Sequence, residues 1–544
     1  MIENIYDVAI LGTGLSGTIV AAILARHGHR VIMIDRSSHP RFAIGESVLP
    51  KGSLWFRLLA SRYGVPELEN FGSSKLICQH VAATTGRKIV NGFLYHHSGL
   101  RQHPDEAHVF IPTQTPLGWD SHLFRQDTDH YLLHVAVNYG AEYLPDTTIR
   151  DIDIASDGVF MRCEDSEEIR CRYVVDATGG HSLLASTLGL REEPTRLRTH
   201  SRSIFTHMQN VRDFNDLLSE SEKPPTRYTW RDGTVQHIFD SGWFWLIPFG
   251  NHEYSGNALC SVGIVLDTTK HPESDLPPER EFQQFAAQFP SIAEQLAHAE
   301  AVRPWIKTGR LQYSSSTSVG ERFFLTSNAY GFVDPLHSRG ILCSNEILFH
   351  FADDLLRALH DDDFSADRFD HVDVLQRRTL DFADRHISNF YTCFSSYPLW
   401  NAWLRLHVMN EFVGYMALVR RYAVYLQSGN RAAFGVLDGQ PMPSSIYPNF
   451  AGLERLYVQA EEYLERYRCG LDGAAEAASK IIELLRASEY LPPMFDWTRP
   501  EYNHVDSTPE KARNVARWGR SEAPLELRQH VFDFARETLE QVKV

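Results

Sequence analysis

The sequence predicts an α/β protein in three parts: an N-terminal dinucleotide-binding unit, a middle segment folded as an antiparallel sheet, and a helical C-terminal region. Three observations predict it. Residues 5–35 read strand, glycine turn, helix, strand, with Gly12, Gly14 and Gly17 spaced G-x-G-x-x-G. Residues 196–320 are rich in aromatic and β-branched residues broken by turns, as in IFTHMQ, RYTWRDGTVQHIF and LCSVGIVLD. From about 345 the pattern becomes helical, with Ile347, Leu348, Phe351, Leu355 and Leu359 on one face.

In the first unit IYDVAIL is a buried strand and GTGLSG the turn that follows it. Gly12 allows the tight turn, Gly14 lets the backbone approach a pyrophosphate, and Gly17 lets helix and strand pack closely. Leu15 and Ser16 open the helix, whose free N–H groups and dipole favour an anion at its N-terminus. Gly28 stops that helix, and HRVIMID forms the second strand. It closes on Asp35, a hydrogen-bond acceptor for a ribose, with Arg36 and Arg41 just beyond. Two further strands run into glycine turns. YVVDATGGHSLLA carries Asp176 and Gly179, and RFFLTSNAYGFVDPLHSRG carries Asp334.

Composition narrows the function. The 544 residues suffice for about three domain-sized units, and 43% hydrophobic with 22% charged residues is ordinary for a globular chain. A net charge of −16 argues against nucleic acid and against an anionic membrane surface as partners. No apolar run reaches transmembrane length. Seven scattered cysteines without C-x-x-C fit reduced thiols in a cytoplasmic protein, and the 26 histidines lack the spacing of a metal cage, so no metal is expected.

The three strand-to-glycine signals resemble the two-domain flavoprotein monooxygenase fold. That resemblance implies FAD lying across a doubly wound domain which the chain leaves and re-enters: 1–195 and about 321–350 for FAD, 196–320 for an antiparallel substrate sheet, 351–544 for a helical region. Arg125 and Asp129 match the pair this fold places beside the flavin, and Glu46 and Ser47 of GES join the expected cofactor contacts.

In SGWFWLIPFG, Trp243 and Trp245 share one face of a strand, Phe244 takes the other, and Pro248 ends the ladder. Trp243, Trp245, Ile247 and Pro248 together match W-x-W-x-I-P, the signature of flavin-dependent halogenases. The resemblance extends over about 1–350, fades in the C-terminal third, and is nearest the branch acting on phenolic, polyketide-type substrates such as the tetracycline halogenases. It implies that reduced FAD and oxygen oxidise chloride or bromide to hypohalous acid, and that the two indoles wall substrate off from the flavin. The acid is then handled by a lysine, either as a hydrogen-bonded ammonium or as a haloamine. Lys88 in GRKIVNGFLYHH takes that role, with Lys75 as its rival. In Asp334-Pro335-Leu336-His337-Ser338-Arg339-Gly340, backbone N–H groups at Arg339 and Gly340 are expected to hold the halide. Tryptophan halogenases carry glutamate and serine where this chain has His337 and Ser338, so the substitution favours a phenol, with His337 as a base. Tyr391, Phe394, Tyr397, Trp400 and Trp403 are candidates to line the pocket. A separate flavin reductase is implied, because no second dinucleotide fingerprint is visible. The substrate is a small aromatic, free or tethered to a carrier protein. The alternatives are an aromatic monooxygenase or reductase of the same fold, separable by halide dependence, and a noncatalytic flavin protein.

Overall fold

The computed structural model describes residues 5–112, 118–164, 168–430 and 450–532. Five parallel strands form the core of the first, eight-stranded sheet, in the order Phe323–Leu325, Glu168–Asp176, Ile5–Leu11, Val31–Ile34 and Glu142–Leu144, with Val319–Gly320, Ile149–Ala155 and Gly158–Cys163 added antiparallel. The strands that end in the three predicted glycine turns are therefore immediate neighbours. Strand Ile5–Leu11 is a near-continuous apolar run because both its faces are covered. Val8 and Ile10 pack into one core and Ala9 and Leu11 into another. Helix Leu15–Arg26 is buried from Gly17 to Ala25 with no polar face, as expected of a helix enclosed on all sides.

The second sheet is built on four antiparallel neighbours: Ser201–Gln209, Cys260–Asp267, Gly242–Pro248 and Gly233–Phe239. Here the structure departs from the expected boundaries. Val90–Tyr95 joins Gly233–Phe239 in parallel, Ala107–Ile111 follows it, and His504–Asp506 adds a last parallel strand from the C-terminal region. Residues 90–111 thus belong to the substrate sheet although they lie within 1–195, and the sheet is mixed. Turn chemistry marks where strands end, not which sheet they join, so this crossing is invisible to local pattern. Strand Gly242–Pro248 alternates as predicted. Trp243, Trp245 and Ile247 face the core shared with the first sheet, while Phe244 and Leu246 face the outer one.

After the parallel sheet closes, helices Arg339–Asp361, Asp370–Cys393, Tyr397–Ser428, Ala451–Arg468 and Ala474–Arg486 stack around both sheets. The expectation of helix over 431–449 and 533–544 falls outside the described residues.

Two glycines carry the cofactor turn. Gly12 has φ +93°, and a Cβ there would meet the Ala177 carbonyl oxygen at 2.7 Å; a Cβ on Gly17 would collide with the Gly12 carbonyl. Both obstacles are backbone and cannot rotate away. Gly17→Ala is expected to weaken FAD binding at least about tenfold and lower the melting temperature by several degrees. Flavin-fluorescence titration and thermal denaturation check this.

Candidate active site

The carboxyl ends of the parallel strands open into one cavity of about 760 Å³, where open α/β sheets bind ligands. Its wall takes Gly12, Gly14, Leu15 and Ser16 from the first turn and Asp35, Arg36 and Arg41 after the second strand. Thr178 and Gly179 after the third, Glu46, Ser47 and Arg125, and Asp334, His337, Ser338 and Gly340 at the far end complete it. Trp243, Trp245 and Ile247 form part of the same wall, their indoles 5.8 Å apart. Most of the predicted residues therefore converge on one elongated space.

The donor set suits a dinucleotide. Gly14 caps helix Leu15–Arg26 with no side chain in the way, leaving the first-turn N–H groups open to a phosphate. Asp35 accepts from Thr13 N at 2.8 Å and Thr13 Oγ1 at 2.7 Å and pairs with Arg41 at 2.9 Å. Burial opposes its charge, but these bonds outweigh burial and hold its pKa below the usual carboxylate range. Arg125 grips Asp129 in a two-pronged pair at 2.7 and 2.8 Å and also donates to the Ile44 and Gly45 carbonyls, fixing the loop that carries Glu46 and Ser47. Glu46 in turn meets His207 of the second sheet at 2.7 Å.

Three expectations need correction. The Asp176 carboxylate does not reach the cavity. It accepts from Thr178, Ser182 and Leu184 and so holds the following turn in shape. Pro248 lies off this wall, its carbonyl accepting from His122 Nδ1 at 2.8 Å. Of the two residues expected to hold the halide through backbone N–H groups, Gly340 is on the wall and Arg339 is not, its side chain pairing with Glu411 at 3.1 Å. Of the C-terminal aromatics, Tyr391 hydrogen-bonds Asp334 at 3.0 Å, whereas Phe394, Trp400 and Trp403 are fully buried core. Trp400 packs against Phe93, Tyr95 and His108, and Tyr397 against Tyr95.

Lys88 and Lys75 separate cleanly. Lys75 is exposed on helix Ser74–His80, whereas Lys88 is 2% exposed. Lys88 Nζ donates to Ser47 Oγ at 2.8 Å, so it reaches the cavity wall through Ser47 and is not itself part of it. Ser47 continues to Thr234 and Thr234 to His122, each at 2.9 Å. Across the short strand pair Gly86–Lys88 and Asp120–His122, Lys88 stands opposite Asp120. Burial pulls the lysine pKa down to about 8, against the support of the Asp120 charge. Asp120, bonded by Ser53 at 2.6 Å, is pushed up to about 6 by the same burial.

The far end of the cavity is a tight turn whose backbone geometry would suit an anion. His337 (φ 62°, ψ 16°) and Ser338 (φ 55°, ψ 36°) are both left-handed, and Arg339 returns to helical geometry at the head of Arg339–Asp361. Successive N–H groups in such a sequence converge on one point, and first-turn N–H groups have no partner within the helix. The conformation is costly, about 1–2 kcal/mol for each left-handed residue. His337 is held by stacking, its ring 4.2 Å from His407 and 4.4 Å from Phe390. Burial, then His407, keeps its pKa well below 6.5, so it is neutral, with a buried Nε2 that makes no hydrogen bond within the protein.

Sequence reasoning missed this backing. His337, His386 and His407 bring their ring nitrogens within 4.8 Å of one another. His386 bonds His407 at 3.0 Å and Tyr457 at 2.9 Å, and the charges of Arg339 and Lys51 bear on the cluster and oppose a further cation there. Thr13, inside the fingerprint, was within reach of the sequence; Asp120, His407 and Glu411 carried no local signal.

Comparison with known proteins agrees with this geometry. The family model described as tryptophan halogenase matches residues 101–435, and the chain belongs to that family of flavin-dependent halogenases. It is 38% identical to tetracycline 7-halogenase of Kitasatospora aureofaciens over 99% of this chain and 97% of that one. It is likewise 38% identical to the monodechloroaminopyrrolnitrin halogenase PrnC of Pseudomonas fluorescens, over 98% and 94%. Among solved structures, halogenase PltM in complex with phloroglucinol and FAD aligns with a TM-score of 0.86 at 31% identity, covering 92% of this chain and 99% of that one. The likeness thus runs through the C-terminal helices, well past residue 350 where the sequence resemblance was expected to fade. The protein is an enzyme that uses FAD and a halide, and the monooxygenase alternative is not favoured. Among the described residues, no helix is long and apolar enough to cross a membrane.

Of the two expected roles of Lys88, hydrogen-bonding an oxidant needs the ammonium and forming a haloamine needs the free amine; the first ties the rate to the protonated lysine. Halogenation is therefore expected to fall as pH rises through about 8. Asp120→Asn removes the charge that supports the ammonium and should move the fall about one unit lower. A pH–rate profile at saturating reduced FAD reads both. A rate that climbs through pH 8 instead assigns the step to the free amine.

Proposed function

We propose that the enzyme chlorinates or brominates an electron-rich, phenolic aromatic ring, with Lys88 positioning hypohalous acid and His337 accepting the ring proton. The observation that carries this is a fully buried lysine, 2.8 Å from Ser47 on the wall of the flavin cavity. Reduced FAD, when bound, supplies with oxygen the oxidising power that converts halide to hypohalous acid. Backbone N–H groups of Arg339 and Gly340 hold the halide in the nest. Trp243, Trp245 and Ile247 exclude the aromatic substrate from the flavin while the small oxidant passes. The Lys88 ammonium hydrogen-bonds that oxidant, making its halogen more electrophilic. A phenol activates its own ring, so the site needs only a neutral acceptor for the departing ring proton. The neutral imidazole of His337, a residue of the cavity wall, is the candidate acceptor, and Ser338 shapes the turn that carries it. The phenolic class is supported by tetracycline 7-halogenase and by PltM bound to phloroglucinol, itself a phenol.

The single dinucleotide fingerprint supports a separate reductase as the source of reduced FAD. Seven free cysteines support a cytoplasmic setting. The curated chlorinase of pyrrole-2-carbonyl bound to a peptidyl carrier protein is only 26% identical, which favours a free substrate here.

The experiment supplies purified enzyme with FAD, a flavin reductase, NADH, oxygen and a panel of phenols, with chloride, bromide or neither, read by mass spectrometry. Halogenated product is expected only with halide. Lys88→Ala should lose at least about 100-fold of it with FAD still bound, and Lys75→Ala should lose none. Product that survives in Lys88→Ala removes the lysine from the mechanism; hydroxylated product independent of halide removes the halide chemistry.

A further inference from the structure

The nest is strained, and strain of this kind persists only where the surroundings over-determine it. The surroundings here belong to one helix. His407 and Glu411 lie one turn apart on Tyr397–Ser428, so they share a face. His407 stacks on His337, and Glu411 takes the Arg339 guanidinium at 3.1 Å, with the Arg339 charge also 5.4 Å from the Phe382 ring. These two contacts seize the residues on either side of Ser338, the centre of the left-handed turn. Each is anchored in turn. Lys51 of helix Pro50–Tyr63 holds the other oxygen of Glu411 at 2.9 Å, and His386, itself bonded to Tyr457, holds His407. Neither Glu411 nor His407 lines the cavity.

We propose that Glu411 and His407 are positioning residues for halide: they clamp the His337–Ser338 turn so that the N–H groups of Arg339 and Gly340 point into the flavin cavity. The clamp gives the C-terminal helices a part in the reaction without contact with substrate or cofactor. It makes halide affinity depend on an ion pair on the far side of the loop. A purely structural role would lower stability and all kinetic parameters together. Loss of the clamp instead lowers halide affinity selectively, because the N–H groups lose convergence while the flavin and aromatic sites stay intact.

The proposal rests on halide binding at the nest, so two variants are read side by side. Gly340→Pro deletes one N–H of the nest at a first-turn position that tolerates proline. Glu411→Gln leaves the nest's atoms in place and removes the charge that holds Arg339 and, on its other oxygen, Lys51. The measurement is steady-state halogenation of a phenol against chloride and bromide concentration, with FAD affinity and melting temperature as controls. The expected result is a halide KM raised about tenfold in each variant, from a lost charge-assisted hydrogen bond. In Glu411→Gln, kcat at saturating halide and the aromatic KM should stay within about twofold. Where Glu411→Gln loses FAD, Arg339→Met reads the same contact from its other end, and Arg339→Lys should restore part of the halide affinity. An unchanged halide KM in Gly340→Pro overturns the nest and the clamp together. A raised value there with an unchanged one in folded, FAD-bound Glu411→Gln overturns the clamp alone.

Discussion

The turn at His337 and Ser338 is the constraint on which the site depends. Two consecutive non-glycine residues in left-handed geometry redirect the chain from the edge of the cavity into helix Arg339–Asp361, and they do so without a glycine to relieve the backbone. Glycine would remove the strain and also the rigidity, since it loses more freedom on folding than any other residue. A side chain at each position gives the fold something to hold. The His337 ring is stacked on His407 and packed against Phe390, and the Asp334 carboxyl, bonded by Ser201, Tyr391 and Leu336 N, pins the start of the loop. The same loop thereby brings His337, Ser338 and Gly340 to the cavity wall in one fixed turn.

The site also has to manage charge away from water. Lys88, Lys51 and Arg339 are all nearly excluded from solvent, and an isolated cation so placed is strongly disfavoured. The structure treats them differently. Lys51 and Arg339 share Glu411 directly and are held as charges, which suits an electrostatic prop. Lys88 receives only the more distant Asp120 and neutral hydroxyls, and burial brings its pKa down to about 8. That half-compensation sets Lys88 apart from the two cations that share Glu411, its pKa lowered by burial. The histidines follow the same economy of charge. Burial first, and then the cations around them, keep His337, His386 and His407 neutral.

What could be read in the sequence was local. Gly12, Gly14 and Gly17 announce themselves because their spacing is dictated by a turn of a few residues, and Trp243 and Trp245 because strand alternation puts them on one face. The partition of strands between sheets could not be read in this way. Val90–Tyr95 and His504–Asp506 join the second sheet from opposite ends of the chain, and nothing in either segment states its neighbour. Asp176 shows the opposite failure. Its position after a strand matched a cofactor ligand, yet four nearby donors use its carboxylate to set the turn, and the backbone at Thr178 and Gly179 meets the cavity in its stead. Asp120, His407 and Glu411 were out of reach for a simple reason: each acts on a residue at least 32 positions away, as Asp120 does on Lys88.

The interleaving of the two sheets explains how a flavin cradle and a buried lysine come to be joined by one hydrogen bond at the cavity wall. Ser47 belongs to the loop that Arg125 ties to the flavin side, and Lys88 to a short strand pair beside the second sheet. Their hydrogen bond is a seam between the two. Glu46 crosses the same seam one residue earlier to reach His207. Lys88 is thereby tied to the cavity wall through a side chain of that wall and not through a loop of its own. Because residues 90–111 pair into the second sheet before the chain returns to complete the first, the two halves of this seam are held by strand pairing on both sides.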